Sequence, residues 1–163
     1  MKYKTSLDNL AKFTTAAVTI LFAIIIIGQY FFMHDKTPMI PVYTTVVLVF
    51  IYALIFFLRP VSYSISSNEI LIRRLIDNIH INRTDVASVE LVDKDYIKWS
   101  IRLFAVGGLF GYFGKFANKK LGKMTWYATR RDKTILIVTN SNKKIIITPD
   151  DPDKFVSDFY KKH

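Results

Sequence analysis

The chain has 163 residues, with 23 Lys and Arg against 13 Asp and Glu, a net charge of +10 and no cysteine. That length holds one domain, or a small domain with an appendage. The lack of cysteine excludes disulfides, thiolate metal sites and cysteine nucleophiles, and the basic balance points to an acidic neighbour: nucleic acid, an anionic bilayer surface or an acidic protein.

Residues 1–12 form a short segment carrying Lys2, Lys4 and Lys12. Residues 13–33 and 39–58 are then two uncharged apolar runs. At 1.5 Å of rise per residue, about 20 helical residues cover the roughly 30 Å of a bilayer's hydrocarbon core. A cleaved signal peptide fits the first run poorly, because it is too long and no small-residue cleavage site follows it. The link "HDKTP" is short enough to join only antiparallel neighbours. Residues 13–58 are thus expected to be a transmembrane hairpin with both chain ends on one side. Lys and Arg lie mostly outside the link, which places both termini in the cytoplasm. Tyr30, Phe31, Phe32 and Tyr43 then form an outer aromatic belt. Neither run contains an acid or base of the kind that marks an ion path, so an anchor is expected and not a channel. Gln29, Thr44 and Thr45 are the polar exceptions.

From Arg59 on the pattern shortens, with 19 Lys and Arg against 11 Asp and Glu. "VSYSIS" alternates, "SN" turns and "EILIRRL" returns, which is a hairpin signal. "DVASVELVD", "MTWYATR", "TILIVT" and "KIIIT" follow, the last three divided by "RD" and "NSNK". His80 falls in a further expected strand, and residues 93–95 in a loop. About seven strands of this kind indicate a barrel or sandwich. At the end, Asp151 suits an N-cap and Pro152 the first helical position. Phe155, Val156 and Phe159 recur at helical spacing, and Lys161, Lys162 and His163 suit the negative end of the dipole. Asp150, Asp151 and Asp153 lack the spacing of a calcium loop, and capping explains them.

Strands closed by one helix follow the order of a pleckstrin-homology-like fold. "YSISSNEILI", "GGLFGYFGKFANKKLGKMTWYATR" and "IIITPDDPDKFVSDF" resemble the bacterial PH domain family over residues 61–159. The resemblance implies a mainly-β domain of about seven bent antiparallel strands capped by a C-terminal α-helix. It also implies a domain that often follows two membrane spans, here over residues 59–163, and no enzyme activity or cofactor.

"LFAVGGLFGYFGKF", residues 103–116, is the least ordinary stretch. A phosphate loop would need a glycine at position 109 and Ser or Thr at 116, which are Leu and Phe. It is too short for a third span. Two readings remain open. In one, Gly108, Gly111 and Gly114 relieve crowding where a strand bends and the aromatics pack inside. In the other, Leu109, Phe110, Tyr112 and Phe113 form a partly exposed apolar edge. Arg102, Lys115, Lys119, Lys120 and Lys123 flank it, as in surfaces that hold anionic bilayers.

The first hairpin turn, "SSNE", has no cation, so the phosphoinositide chemistry of eukaryotic PH domains does not carry over there. His34, His80 and His163 lie too far apart in sequence for a local metal set, and no nucleophile turn accompanies the serines. No catalytic, cofactor or metal residue is assigned. The expectation is a binding or scaffolding module in the bacterial cytoplasmic membrane. It would contact a protein partner, anionic lipid headgroups or both, and a homo-oligomer is compatible with the pattern. Nucleic acid is not needed to explain the charge. The alternative is a non-catalytic subunit of a membrane enzyme or transporter complex.

Overall fold

The computed structural model describes residues 1–33 and 39–161. The link with Asp35 and Lys36, and the terminal Lys162 and His163, lie outside the described residues. Helices α1 (Asn9–Met33) and α2 (Met39–Leu58) are both long and apolar enough to cross a membrane. Asp8 sets the start of α1. Its carboxylate accepts from the Ala11 amide at 2.7 Å and its carbonyl accepts from the Lys12 amide at 3.0 Å, an N-cap arrangement. Two of the three polar exceptions stitch the helices together: Gln29 Nε2 donates to Thr45 Oγ1 at 3.1 Å, and lower down Thr19 shares a 2.7 Å hydrogen bond with Tyr52. Between apolar helices such bonds and close packing supply the association. Thr44 instead donates to Ile40 O of its own helix.

Among the described residues, ten strands, two short helical turns and a final helix make the rest. The first sheet has the order β1 (Lys2–Lys4), β2 (Pro60–Ile65), β3 (Glu69–Arg74), β4 (Ile79–Asn82). The second contains β5 (Val86–Val92), β6 (Ile101–Gly107), β7 (Tyr112–Asn118), β8 (Gly122–Ala128), β9 (Thr134–Thr139) and β10 (Lys144–Ile147), in the order β5-β9-β10-β8-β7-β6. Helix α3 (Lys94–Ile97) is one turn, where a loop was expected. Helix α4 (Pro152–Tyr160) closes the domain, with Asp151 accepting from the Lys154 amide as its cap.

The expected architecture is therefore present, with two differences. Among the described residues nine strands of 59–163 stand where about seven were expected, with β1 added from the N-terminal segment, and β8 and β10 run parallel where an antiparallel sheet was expected. Alternation encodes which face a residue occupies, not the direction of its neighbour. A three-residue strand such as β1 is too short to show a period at all.

Two cores flank the second sheet. Between the sheets pack Tyr63, Ile70, Ile72, Ile135, Ile137 and Ile147, closed by Phe155 and Phe159 of α4. On the other face Trp126 stacks on Phe116 at 4.4 Å, with Leu136 and Ile146 beside them. Ala11 of α1 and Ile97 of α3 cover this second core.

The chain enters and leaves the helical hairpin from within the β domain. Ahead of α1, β1 pairs with β2, and Tyr3 donates to Asp158 of α4 at 2.6 Å while its ring meets Phe155 edge-on. After α2, Arg59 alone separates the helix from β2.

Candidate functional site

The glycine-rich stretch folds as the β6–β7 hairpin, whose turn, residues 108–111, presses against both long helices. Gly108 has φ +112°, and a Cβ there would lie 2.9 Å from Thr14 Cγ2, so this close approach needs glycine. The Phe110 amide donates to Thr15 Oγ1 at 2.9 Å, and that hydroxyl donates to Ala11 O at 2.7 Å. The Phe110 ring sits edge-on to Tyr52 and Phe56, with centroids 5.1 and 5.2 Å away. The Arg59 guanidinium lies 4.3 Å over Phe56 and 5.7 Å from Phe110. Phe110 itself has φ +56°. A bulky residue there costs about 1–2 kcal/mol, and the aromatic packing offsets it. Phe110 is only 7% exposed.

Leu109, Phe110, Tyr112 and Phe113 are all buried, so the partly exposed apolar edge is not formed. The aromatics do not pack only within the β domain either, since Phe110 is covered by α2. Tyr112 reaches the start of α1, where its hydroxyl donates to the Asp8 carboxylate at 3.1 Å and Arg131 lies 4.9 Å over its ring. Burial pushes the Tyr112 phenol up from its ordinary value, and the Asp8 carboxylate pushes it further.

The five flanking cations do not gather around this turn. Arg102 folds along β6 over Gly107. Lys119 and Lys120 occupy the β7–β8 turn, at the far end of a strand about 20 Å long, and Lys120 rests over Tyr96. Lys115 and Lys123 instead line a cleft of about 420 Å³ with Leu103, Tyr127, Lys143 and Lys144, and no acid lines it. Lys144 Nζ donates to Leu121 O at 2.7 Å. The ammonium groups of Lys115, Lys123 and Lys143 have no hydrogen bond or ion pair among the described residues.

One wall of this cleft is Leu103 of β6, an edge strand of the six-stranded sheet. Ile101, Leu103 and Phe104 are exposed, Phe104 at 85%, and Phe104 pairs with Lys115 across the register. Trp99, just before the strand, is equally exposed and has φ +60°. The sequence reading selected neither Trp99 nor Phe104. The stretch "WSIRL" alternates as a half-buried strand does, only the adjacent Leu103 and Phe104 break the period, and alternation does not say which strand is left uncovered. A larger cleft, about 940 Å³, lies at the start of α1, but it mixes Lys12, Lys98 and Arg131 with Asp8, Asp95 and Asp132 and has no single sign of charge. Among the described residues no group of His, Asp and Glu is placed to hold a metal ion.

A family model described as Bacterial PH domain matches residues 61–163, more than half of the chain. No curated protein and no solved structure matches.

Proposed function

This chain belongs to the bacterial PH domain family, and from that premise we propose that it is a membrane-anchored, non-catalytic binding module that docks an acidic protein segment. The hairpin crosses the bacterial cytoplasmic membrane and the domain sits on its inner face, with both termini cytoplasmic. Lys2, Lys4, Lys12 and Arg59 outside the spans support that orientation. The observation that carries the binding reading is a cleft lined by four lysines and no acid, with Leu103 of the exposed apolar strand β6 on its wall. An extended peptide adds to such an edge through main-chain hydrogen bonds, with alternate side chains giving specificity. The ammonium groups of Lys115, Lys123 and Lys143, which have no partner among the described residues, select acidic side chains that reach from that strand into the cleft. Tethering holds this surface at a constant place near the bilayer, where a weak contact is amplified by effective concentration.

The test is a photo-crosslinking residue at Leu103 in the full-length chain, in its own membrane. The expected result is one protein adduct, lost when Lys115→Glu and Lys123→Glu are combined. Reversal of Lys119 and Lys120, away from the cleft, leaves the adduct in place. Absence of a protein adduct, or one indifferent to the cleft charges, overturns the proposal.

A further inference from the structure

The β3–β4 turn reaches back to the end of α2. Arg74, the last residue of β3, pairs with Pro60 at the start of β2, and the Ile76 amide donates to Phe57 O at 3.3 Å. Phe57 is in the last turn of α2, one residue before the apolar run stops at Leu58. A helix of 20 residues matches the roughly 30 Å of a hydrocarbon core. In the anchoring proposed above, the turn is held at the depth where that core gives way to headgroups.

Two of its four exposed residues are apolar. Leu75 is 47% exposed and Ile76 is 54% exposed, in a position where turns ordinarily place Gly, Pro, Asn, Asp or Ser. They project from a closed frame. Arg74 Nε donates to Asp77 O at 2.7 Å, its guanidinium pairs with the Asp77 carboxylate, and its amide donates to Asn78 Oδ1 at 2.9 Å. Asp77 takes φ +58° to close the turn. The exposed Arg73 stands beside them, and Arg59 follows the end of α2.

We infer that this turn is a wedge that seats Leu75 and Ile76 in the leaflet next to the domain, at the boundary between headgroups and acyl chains, with Arg73 among the phosphates. The inference rests on the membrane anchoring proposed above. Lipid is the occupant because the hydrogen bond to Phe57 places the turn beside a helix end that already lies at that boundary. Apolar groups on peripheral surfaces enter this zone to about 5–10 Å, and cations strengthen the contact with anionic lipid. With α1 and α2, the wedge makes a third point of attachment. Three points fix the tilt of the domain, and hence where the lysine cleft faces.

The absence of cysteine makes the test direct. An environment-sensitive fluorophore is placed at Ile76→Cys in the full-length protein, reconstituted in phosphatidylcholine–phosphatidylglycerol vesicles. Val47→Cys, exposed on α2, and Glu90→Cys, exposed on β5, are the lipid and water references. The expected result at position 76 is a blue-shifted emission, quenched by lipids spin-labelled near the headgroup. A probe at 76 that matches the one at 90, while 47 reports lipid, overturns the wedge and leaves the anchor standing. A probe at 47 that reports water overturns the anchor and the wedge together.

Discussion

Strand β6 begins in the open with Ile101, Leu103 and Phe104 and ends at Gly107 beneath the two long helices. Both ends are apolar. At one end Phe110, across the turn, is enclosed by Tyr52, Phe56 and Arg59. At the other, Phe104 has solvent on most of its surface. The difference comes from what the chain places opposite each end. α1 and α2 leave the domain beside the turn, so apolar residues there join the helices to the domain. No described element of the chain covers the start of β6, so the same residue types there form a surface for something else.

The largest expected effect lies at the closed end. Phe110→Ala removes the ring from its aromatic box and should destabilise the protein by about 3 kcal/mol, less whatever relief the smaller side chain gives at φ +56°. The thermal midpoint in detergent micelles reports it. Phe104→Ala, at the open end, should cost under about 0.5 kcal/mol. Equal losses at the two positions would break the comparison.

Asp8→Ala is next. It removes the cap of α1 and the acceptor of Tyr112 together, and a lost cap costs about 1 kcal/mol. Faster hydrogen exchange in the first turn of α1, with later turns unaffected, is the expected pattern.

The smallest effect is a dependence on alkaline pH. The folded-state pKa of Tyr112 is raised, by burial first and by Asp8 second. The neutral phenol is thus the form that folding favours. Its contribution is complete below the ordinary tyrosine value of about 10 and is lost as pH rises from there toward the raised value. Melting points should fall above pH about 10, and Tyr112→Phe should flatten part of that fall. Tyr3, also raised by burial and by its bond to Asp158, supplies a similar slope that remains in the variant.

Much of this fold was legible in the sequence because the signals were local. Uncharged runs of helical length gave the two long helices. Asp151 and Pro152 marked α4, whose Phe155 and Phe159 are buried as their spacing implied. The strand carrying "TILIVT" has the bounds its pattern suggested. What the sequence concealed was non-local. Lys2, Tyr3 and Lys4 acquire a partner only because β2 returns some sixty residues later. The glycines did mark close approach, but a run of glycine and phenylalanine does not say that the surface approached is a long apolar helix at Thr14 and Thr15. The lysine cleft was invisible for the same reason, since Lys143 stands beside Lys115 and Lys123 only after β8, β9 and β10 have assembled.

The central claim is that the β domain and the two long helices form one body, joined at the β6–β7 turn. The most direct measurement is hydrogen exchange at the Phe110 amide in the full-length protein in lipid nanodiscs, compared with Thr15→Val. That variant keeps the shape of the side chain and removes the acceptor oxygen. Slow exchange in the natural sequence, rising to the rate of an exposed loop in Thr15→Val, is the predicted result. Exchange at the same rate in both would contradict the claim.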